Sequence, residues 1–266
     1  MNILDTILEQ KRKEVEERKS LYPTKLLEQS IFFASQTVSM KKYIQRSDKS
    51  GIIAEFKRKS PSKGIINSHA AVERTTIGYM QAGASALSVL TDKNFFGGSS
   101  EDLMTARKFN FCPIILKDFT IDEYQIIEAK SIGADAILLI AAALEPARVK
   151  TLAAFAKSLG LEVLLEVHDK AEVEANLDAQ PDMFGVNNRS LKTFDVSIEV
   201  SKQLAPLIPK EIVKVSESGI SNPDTIIELK GYGYEGFLMG ENFMKHSRPE
   251  KVCKEFIDKL NALQKK

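Results

Sequence analysis

The chain has 266 residues, and its 37 basic and 36 acidic side chains give a formal net charge of +1. This balance provides no broad positive field, so we expect no binding to nucleic acid. No apolar run reaches the roughly 18–20 residues that a membrane span needs, and the charged start lacks the apolar stretch of a signal peptide. Two cysteines are too few for a disulfide framework or a metal cluster. We therefore expect a cytoplasmic protein with no membrane partner.

The first fifty residues have a pattern of their own. A charged tract follows four apolar residues at helical spacing, namely Ile3, Leu4, Ile7 and Leu8. This pattern predicts a helix over Ile3–Lys19, and Leu26 with Leu27 indicates a further short helix. We expect residues 1–50 to form a helical extension that caps one end of the fold that follows.

Residues 51–240 repeat one theme eight times: a short apolar run, a polar turn and an amphipathic stretch. The runs are Ile52–Phe56, Ala86–Leu90, Pro113–Leu116, Ala136–Ile140, Glu162–Val167, Met183–Val186, Glu211–Val215 and Gly236–Met239. They are nearly continuous rather than alternating, as expected for parallel strands that are covered on both faces.

Eight β-α units in one chain predict an α/β protein with a closed (β/α)8 TIM barrel. A doubly wound sheet is the alternative, but it usually has fewer strands. No Pro-, Ser- or Gly-rich linker divides the chain. We therefore expect one domain over 1–266, with the extension at 1–50 and the barrel at 51–266.

Chemistry in such a barrel lies at the C-terminal ends of its strands. Six of the eight predicted strands end in ionisable or amide groups, among them Glu55, Lys57, Lys117, Glu166, Asn187 and Glu217. Because side chains alternate along a strand, Glu55 and Lys57 share a face and point together into the mouth of the barrel. Single charged residues commonly flank strands because loops are exposed to solvent. Several acid–base groups on one rim, however, favour an active site.

Two features indicate a phosphate site. Ser218 and Gly219 follow the seventh predicted strand, and Gly240 follows the eighth. Barrels of this type hold phosphate on backbone N–H groups of these loops. Lys57 adds positive charge from the first strand, which lies beside the eighth when the barrel closes. A small phosphorylated molecule is the expected substrate.

Lys117 and Glu166 are the candidates for proton transfer. Each ends an apolar strand, and the two strands, the third and the fifth, are both odd-numbered. A lysine that acts as an acid near neutral pH needs a pKa close to that pH, and nearby cations would lower it. A carboxylate shielded from water is poised to accept a proton. A purely structural ion pair between the two remains the alternative.

His168 follows Glu166 by two residues, but a structural role is expected for it. None of the three histidines is paired at a spacing typical of metal ligands, so no metal is predicted. Gly97-Gly98-Ser99 lacks the frame of a dinucleotide-binding loop, and no cofactor is predicted.

The segment Ile53–Ser62, with the sequence IAEFKRKSPS, resembles the signature of the indole-3-glycerol-phosphate synthase family. The resemblance continues in order through the segments 87–92, 95–99, 115–119, 164–168, 185–189 and 216–220. It implies a monomeric (β/α)8 carboxy-lyase of tryptophan biosynthesis that uses no cofactor. Such an enzyme closes the indole ring of 1-(2-carboxyphenylamino)-1-deoxyribulose 5-phosphate and releases carbon dioxide and water.

The resemblance also implies roles for single residues. Lys117 would be the general acid, Glu166 the general base, and Lys57 would bind anionic groups and join the dehydration. Three residues would orient these groups and the substrate hydroxyls: Glu55, Asn187 and Glu217. The remaining predicted contacts are Ser60 and Arg189 to the carboxylate, Phe119 and Leu138 to the aromatic ring, and Ser218, Gly219, Gly240 and Glu241 to the phosphate, the last two through their backbone.

Two alternatives stay open. One is another phosphate-binding barrel, such as an Amadori-type phosphoribosyl isomerase, which would need no decarboxylation. The other is a catalytically silent barrel that binds phosphorylated ligands or a partner protein. Lys117 with Glu166, together with Arg189 for a carboxylate, favours the synthase over both.

Overall fold

The structure, a computed structural model, describes residues 3–191 and 193–265. Its centre is a closed barrel of eight parallel strands, in which each strand pairs with its neighbours in sequence and the first pairs with the last. The strands are β1 (Ile52–Phe56), β2 (Ala86–Leu90), β3 (Ile114–Lys117), β4 (Ala136–Ile140), β5 (Glu162–Val167), β6 (Met183–Asn187), β7 (Val213–Glu217) and β8 (Gly236–Met239). The predicted (β/α)8 barrel with its N-terminal extension is therefore confirmed.

Helices surround the barrel and connect its strands. They are α4 (Val72–Gln81), α5 (Ser100–Phe109), α6 (Glu123–Ser131), α7 (Pro146–Ser158), α8 (Lys170–Asn176), α9 (Glu199–Leu204), α10 (Pro223–Gly231), the short α11 (Glu241–Met244) and α12 (Pro249–Gln264). A small antiparallel hairpin pairs Lys59–Ser60 with Gly64–Ile65 after β1. In the described part of the chain, no helix is both long and apolar enough to cross a membrane.

Side-chain alternation divides each strand between two apolar layers. In β1, Ile52, Ala54 and Phe56 belong to the large cluster between strands and helices, while Ile53 belongs to a second cluster inside the barrel. Ile53, Ala86, Ile115, Leu164, Val213 and Val215 are all among the residues of that interior cluster. The next inward position along a strand, such as Glu55 after Ile53, lies one step nearer the mouth of the barrel.

Three strands end differently from their predicted apolar runs. β3 includes Lys117, β6 includes Asn187 and β7 includes Glu217, and Asn187 pairs with Glu217 in the strand ladder. The polar side chains do not end these strands because they project into the cleft, whereas the backbone remains in the sheet.

The extension covers both ends of the barrel, and not the single end that the sequence predicts. It contains α1 (Ile3–Leu21), α2 (Thr24–Leu27) and α3 (Met40–Ile44), so both predicted helices are present. Ile3, Leu4 and Ile7 of α1 line the cleft at the C-terminal mouth. At the opposite end, Met40 and Ile44 of α3 belong to the interior apolar cluster. There the carboxylate of Glu162, at the start of β5, accepts hydrogen bonds from the backbone N–H groups of Met40 and Lys41 at 2.7 and 3.0 Å.

Candidate active site

A cleft of about 400 Å³ opens at the C-terminal mouth of the barrel. It is lined by all fourteen residues that the sequence proposes for the site: Glu55, Lys57, Ser60, Lys117, Phe119, Leu138, Glu166, Asn187, Arg189, Glu217, Ser218, Gly219, Gly240 and Glu241. The structure thus brings together residues from strands and loops that lie as far as 186 positions apart in the chain.

Lys117 is at the centre of this cleft. Its Nζ lies 2.9 Å from Oε2 of Glu166 and 3.0 Å from Oε2 of Glu217. With Glu55, these residues come from the odd-numbered strands β1, β3, β5 and β7. Alternate strands of a (β/α)8 barrel supply the four side chains of one interior layer, and here that layer is one ammonium and three carboxylates.

The sequence left the direction of the Lys117 pKa shift open, and the structure places carboxylates beside its Nζ. Burial would lower its pKa, but the carboxylates of Glu166, Glu217 and Glu55 outweigh burial and raise it. Carboxylates rather than cations therefore set the pKa of this ammonium. The ammonium carries its proton at neutral pH and presents N–H donors to the cleft.

The two carboxylates beside Lys117 titrate differently. Burial acts to raise the pKa of Glu166, but Lys117, His168 and Asn187 together hold it well below its usual range. Burial raises the pKa of Glu217 to about 7, with repulsion from Glu166 adding to the effect and Lys117 opposing it. The pKa values of the two carboxylates are therefore displaced in opposite directions, with Glu166 the more readily ionised, a separation typical of acid–base sites.

Glu55 and Lys57 form a second pair on the rim. Nζ of Lys57 lies 2.7 Å from Oε1 of Glu55, and the hydroxyl of Ser88 donates to Oε2 at 3.2 Å. The predicted shared face is present, and Lys57 places a positive charge between the carboxylate layer and the loop after β8.

The loops after β7 and β8 form the other end of the cleft. Ser218 and Gly219 have φ values of 68° and 77°, so two successive residues turn the backbone sharply after β7. A side chain at Gly219 would meet Val196, since a Cβ there would lie 2.6 Å from Cγ1. The helix α11 begins directly after Gly240. The two loops that the sequence predicts to hold phosphate therefore both line the cleft, with Gly219 exposed and Gly240 buried.

Arg189 lies near these loops. Its backbone N–H donates to Oδ1 of Asn187 at 3.0 Å, and its guanidinium reaches Oε2 of Glu241 at 3.4 Å. The other oxygen of Glu241 lies 3.8 Å from Nζ of Lys63. The Glu241 side chain is thus a counter-ion to Arg189 and Lys63.

The wall of the cleft beside Lys117 is apolar. Phe119 packs against Phe96 with ring centroids 5.9 Å apart, and Leu138 contributes from β4. Ser60 is buried in the hairpin after β1 and also faces the cleft. This arrangement suits an aromatic group with a polar substituent.

Some lining residues were not predicted from the sequence, among them Ile3, Leu4, Ile7, Phe96 and Lys245. Helical spacing identified the apolar face of α1 but not the surface that it covers. Lys245 lies beyond the strand end, in a turn that no strand pattern marks. His168, for which the sequence predicts a structural role, lies against both Glu166 and Glu172, and only its spacing of four residues from Glu172 was visible in the sequence.

A closed (β/α)8 barrel with a buried acid–base cluster at its C-terminal mouth defines an enzyme of the (β/α)8-barrel class. Comparison with known sequences gives the particular family. The sequence model described as "Indole-3-glycerol phosphate synthase" matches residues 4–256. The chain belongs to the indole-3-glycerol phosphate synthase family.

Curated relatives of that name match over nearly their whole length. The protein of Bacteroides thetaiotaomicron is 48% identical over 256 residues, covering 96% of this chain and 98% of the relative. That of Caldanaerobacter subterraneus is 42% identical over 261 residues, covering 98% and 99%. Among solved structures, 3-hexulose-6-phosphate synthase from Salmonella typhimurium shares the fold, with a TM-score of 0.62, 12% identity and coverage of 79% of this chain and 98% of that one.

Proposed function

We propose that this chain is an indole-3-glycerol-phosphate synthase, a carboxy-lyase of tryptophan biosynthesis. Its substrate is 1-(2-carboxyphenylamino)-1-deoxyribulose 5-phosphate, and its products are indole-3-glycerol phosphate, carbon dioxide and water. One observation carries the proposal: the Lys117 ammonium is held at 2.9 and 3.0 Å between two carboxylates, inside the cleft that every predicted site residue lines. Membership of the family supports the same assignment.

Lys117 acts in the ring closure. The ring carbon that carries the carboxylate attacks the ribulose carbonyl, and Lys117 transfers a proton to the carbonyl oxygen, which becomes a hydroxyl. A raised pKa does not prevent this step, because the alkoxide that would otherwise form is a stronger base than the amine. The carboxylate then leaves as carbon dioxide, and its bonding electrons restore the aromatic ring.

Glu166 acts in the dehydration. Its ionised carboxylate removes a proton from the carbon next to nitrogen, while the hydroxyl leaves as water with a proton from Lys57. The new double bond completes the indole. Glu55 holds Lys57 at 2.7 Å, Asn187 donates to Oε1 of Glu166 at 3.0 Å, and Glu217 holds Lys117, so these three orient the reacting groups.

The cleft binds both ends of the substrate. Arg189 and Ser60 contact the carboxylate, while Phe119 and Leu138 pack on the aromatic ring. The phosphate lies on the loops after β7 and β8, against Ser218, Gly219 and the backbone of Gly240 and Glu241, with Lys57 nearby. Anchoring both ends of a flexible molecule brings the reacting carbons together and lowers the entropic cost of cyclisation.

The test is an assay of purified protein with the carboxyphenylamino substrate, followed by indole fluorescence and carbon dioxide release. The synthase produces both in equal amounts. An Amadori isomerase would release no carbon dioxide, and a silent barrel would give neither signal while still binding the substrate.

We also propose a monomeric, cytoplasmic enzyme. All fourteen site residues come from one chain, and Cys112 and Cys253 are free and buried, in keeping with a reducing compartment. Light scattering at working concentration tests the monomer, and a mass twice that of the chain would contradict it.

A further inference from the structure

His168 lies just beyond β5, behind the carboxylate that acts as the base. Its side chain is largely buried, at 12% exposure. Nε2 lies 3.3 Å from Oε1 of Glu166, and Nδ1 lies 3.2 Å from Oε2 of Glu172 in the first turn of α8. The backbone N–H of His168 also donates to that Glu172 oxygen, at 2.7 Å. The ring is therefore fixed between two carboxylates.

This arrangement favours the charged form of the ring. Burial would lower the pKa of His168, but Glu166 and Glu172 outweigh burial and raise it to about 10. Nδ1 forms the hydrogen bond of this ring, to Glu172, whereas the 3.3 Å contact of Nε2 with Glu166 is a charge–charge contact without hydrogen-bond geometry, so it stabilises the ring only when the ring is charged. At neutral pH His168 is thus a cation on the side of Glu166 that faces away from Lys117.

The charges around Glu166 explain why a second cation matters. Lys117 of β3 faces Oε2, Glu217 of β7 shares that ammonium, and Glu55 of β1 adds negative charge to the same layer. Asn187 of β6 contributes an uncharged donor to Oε1. Once Lys117 has given its proton to the substrate, His168 is the cation still in contact with Glu166.

We propose that His168 is a positioning residue that fixes Oε1 of Glu166 and keeps this carboxylate ionised after Lys117 has lost its proton. This inference rests on the proposed function. His168 itself neither touches the substrate nor exchanges a proton with it, so its effect reaches the reaction through Glu166.

Two substitutions separate charge from orientation. In His168→Gln, the amide nitrogen replaces Nε2 and still reaches Glu166, but the charge is lost. In His168→Asn, the shorter amide replaces Nδ1 and reaches only Glu172. The acidic limb of the kcat–pH profile reports the base in the enzyme–substrate complex. An opposite charge at this distance typically lowers a carboxylate pKa by about 1–3 units.

We therefore expect the acidic limb of His168→Gln to move up by about one pH unit or more, with its high-pH plateau within about threefold of the unsubstituted enzyme. His168→Asn shows the same shift and also a plateau lowered by about tenfold or more, because orientation is lost as well. Glu172→Gln removes the negative charge that stabilises the imidazolium. It shifts the acidic limb in the same direction as His168→Gln, but by a smaller amount. His69→Gln, on an exposed histidine, leaves the profile unchanged.

A folded His168→Gln protein with an unchanged pH profile would overturn the inference. Nitrogen-15 NMR of the His168 ring supplies a readout that needs neither activity nor a variant. We expect the ring to stay doubly protonated to about pH 9, whereas titration near the ordinary histidine value of about 6.5 would also overturn the inference. Failure of the unsubstituted protein to make indole-glycerol phosphate would refute the proposed function instead, and the NMR titration would still report the charge of the ring.

Discussion

Glu55 lies so close to the backbone of Gly240 that a Cβ atom at position 240 would come within 2.6 Å of Oε1 of Glu55. That same oxygen holds Nζ of Lys57 at 2.7 Å. The loop that begins α11 is therefore packed directly against Glu55 of β1, which in turn holds Lys57 just beyond the strand. Any atom added at position 240 disturbs both Lys57 and this loop, which we propose binds the phosphate.

Gly240→Ala is expected to lower kcat/KM by about tenfold or more, mainly through a higher KM. The methyl group must displace the Glu55 carboxylate, and overpacking of this kind typically costs about 1–3 kcal/mol of stability. Steady-state kinetics and urea unfolding measure the two effects. Gly231→Ala is the matched control, because a Cβ there meets no atom within 4 Å. Equal behaviour of the two variants would contradict the steric argument.

Lys117→Ala is expected to lower kcat by more than about a hundredfold while the substrate still binds, given the usual contribution of a general acid. Lys117→Arg is the informative partner. It keeps a cation for Glu166 and Glu217, but a guanidinium does not release its proton. We expect Lys117→Arg to be as stable as the unsubstituted protein and nearly inactive, measured by unfolding and turnover. If the Lys117→Arg enzyme were active, Lys117 would serve only as an ion-pair partner and not as the general acid.

Glu166→Gln should slow turnover without unfolding the protein, because the amide keeps the shape and loses the basic oxygen. Turnover and thermal unfolding are measured together. Rates equal to those of the unsubstituted enzyme would remove Glu166 from the mechanism.

Arg189→Ala is expected to raise KM by about tenfold, with a smaller change in kcat, because a charge-assisted hydrogen bond to the substrate carboxylate is lost. The measurement is a substrate titration at constant pH. Lys63→Ala is a useful comparison, because Lys63 also faces Glu241 but at 3.8 Å and from a more exposed position. An unchanged KM for Arg189→Ala would exclude the carboxylate contact.

Glu217→Gln is expected to change how stability depends on pH. The pKa of Glu217 is raised from its ordinary value to about 7. Between the ordinary pKa of a glutamate and about 7, the native state therefore binds more protons at this carboxyl group than the unfolded state does. Ionisation of Glu217 then lowers the free energy of unfolding as pH rises through this range. Relative to Glu217→Gln, the unsubstituted protein should lose free energy of unfolding between about pH 5 and pH 8. Urea unfolding at several pH values measures the difference, and a difference independent of pH would refute it.

Lys11→Met is expected to lower the free energy of unfolding by about 3–5 kcal/mol, because it leaves buried carboxylates without their cation. Nζ of Lys11 lies 2.9 Å from both Asp92 and Asp118, at the ends of β2 and β3, and its side chain is only 2% exposed. KM should rise as well, since α1 lines the cleft. Lys13→Met, on the exposed side of the same helix, should change stability by about 0.5 kcal/mol or less. Similar losses from both variants would contradict the role of Lys11.

The fold and the charged strand ends could be predicted because they follow from local rules, whereas four other site residues were predicted only from the family resemblance: Ser60, Arg189, Phe119 and Leu138. Continuous apolar runs predicted the eight strands, and alternation along β1 placed Glu55 and Lys57 on one face. The strand ends also identified Lys117, Glu166 and Glu217, since parallel strands bring their carboxyl ends to one rim.

Features that depend on contacts between distant elements could not be predicted. The direction of the Lys117 pKa shift depends on which charges surround Nζ, and the sequence did not show that β5 and β7 supply carboxylates there. The sequence predicted α1 without showing which end it covers. Nor did a lone histidine pattern reveal that His168 would face Glu166, because the packing of α8 sets that position.

The hydrogen bond from the Met40 backbone to Glu162 joins residues 122 positions apart. Chains emerge from the ribosome amino end first. Helix α3, which covers the end of the barrel opposite the cleft, is therefore translated well before β5, the strand to which it binds. It must wait undocked until the middle of the protein has been synthesised, and only then can Met40 and Ile44 withdraw from water.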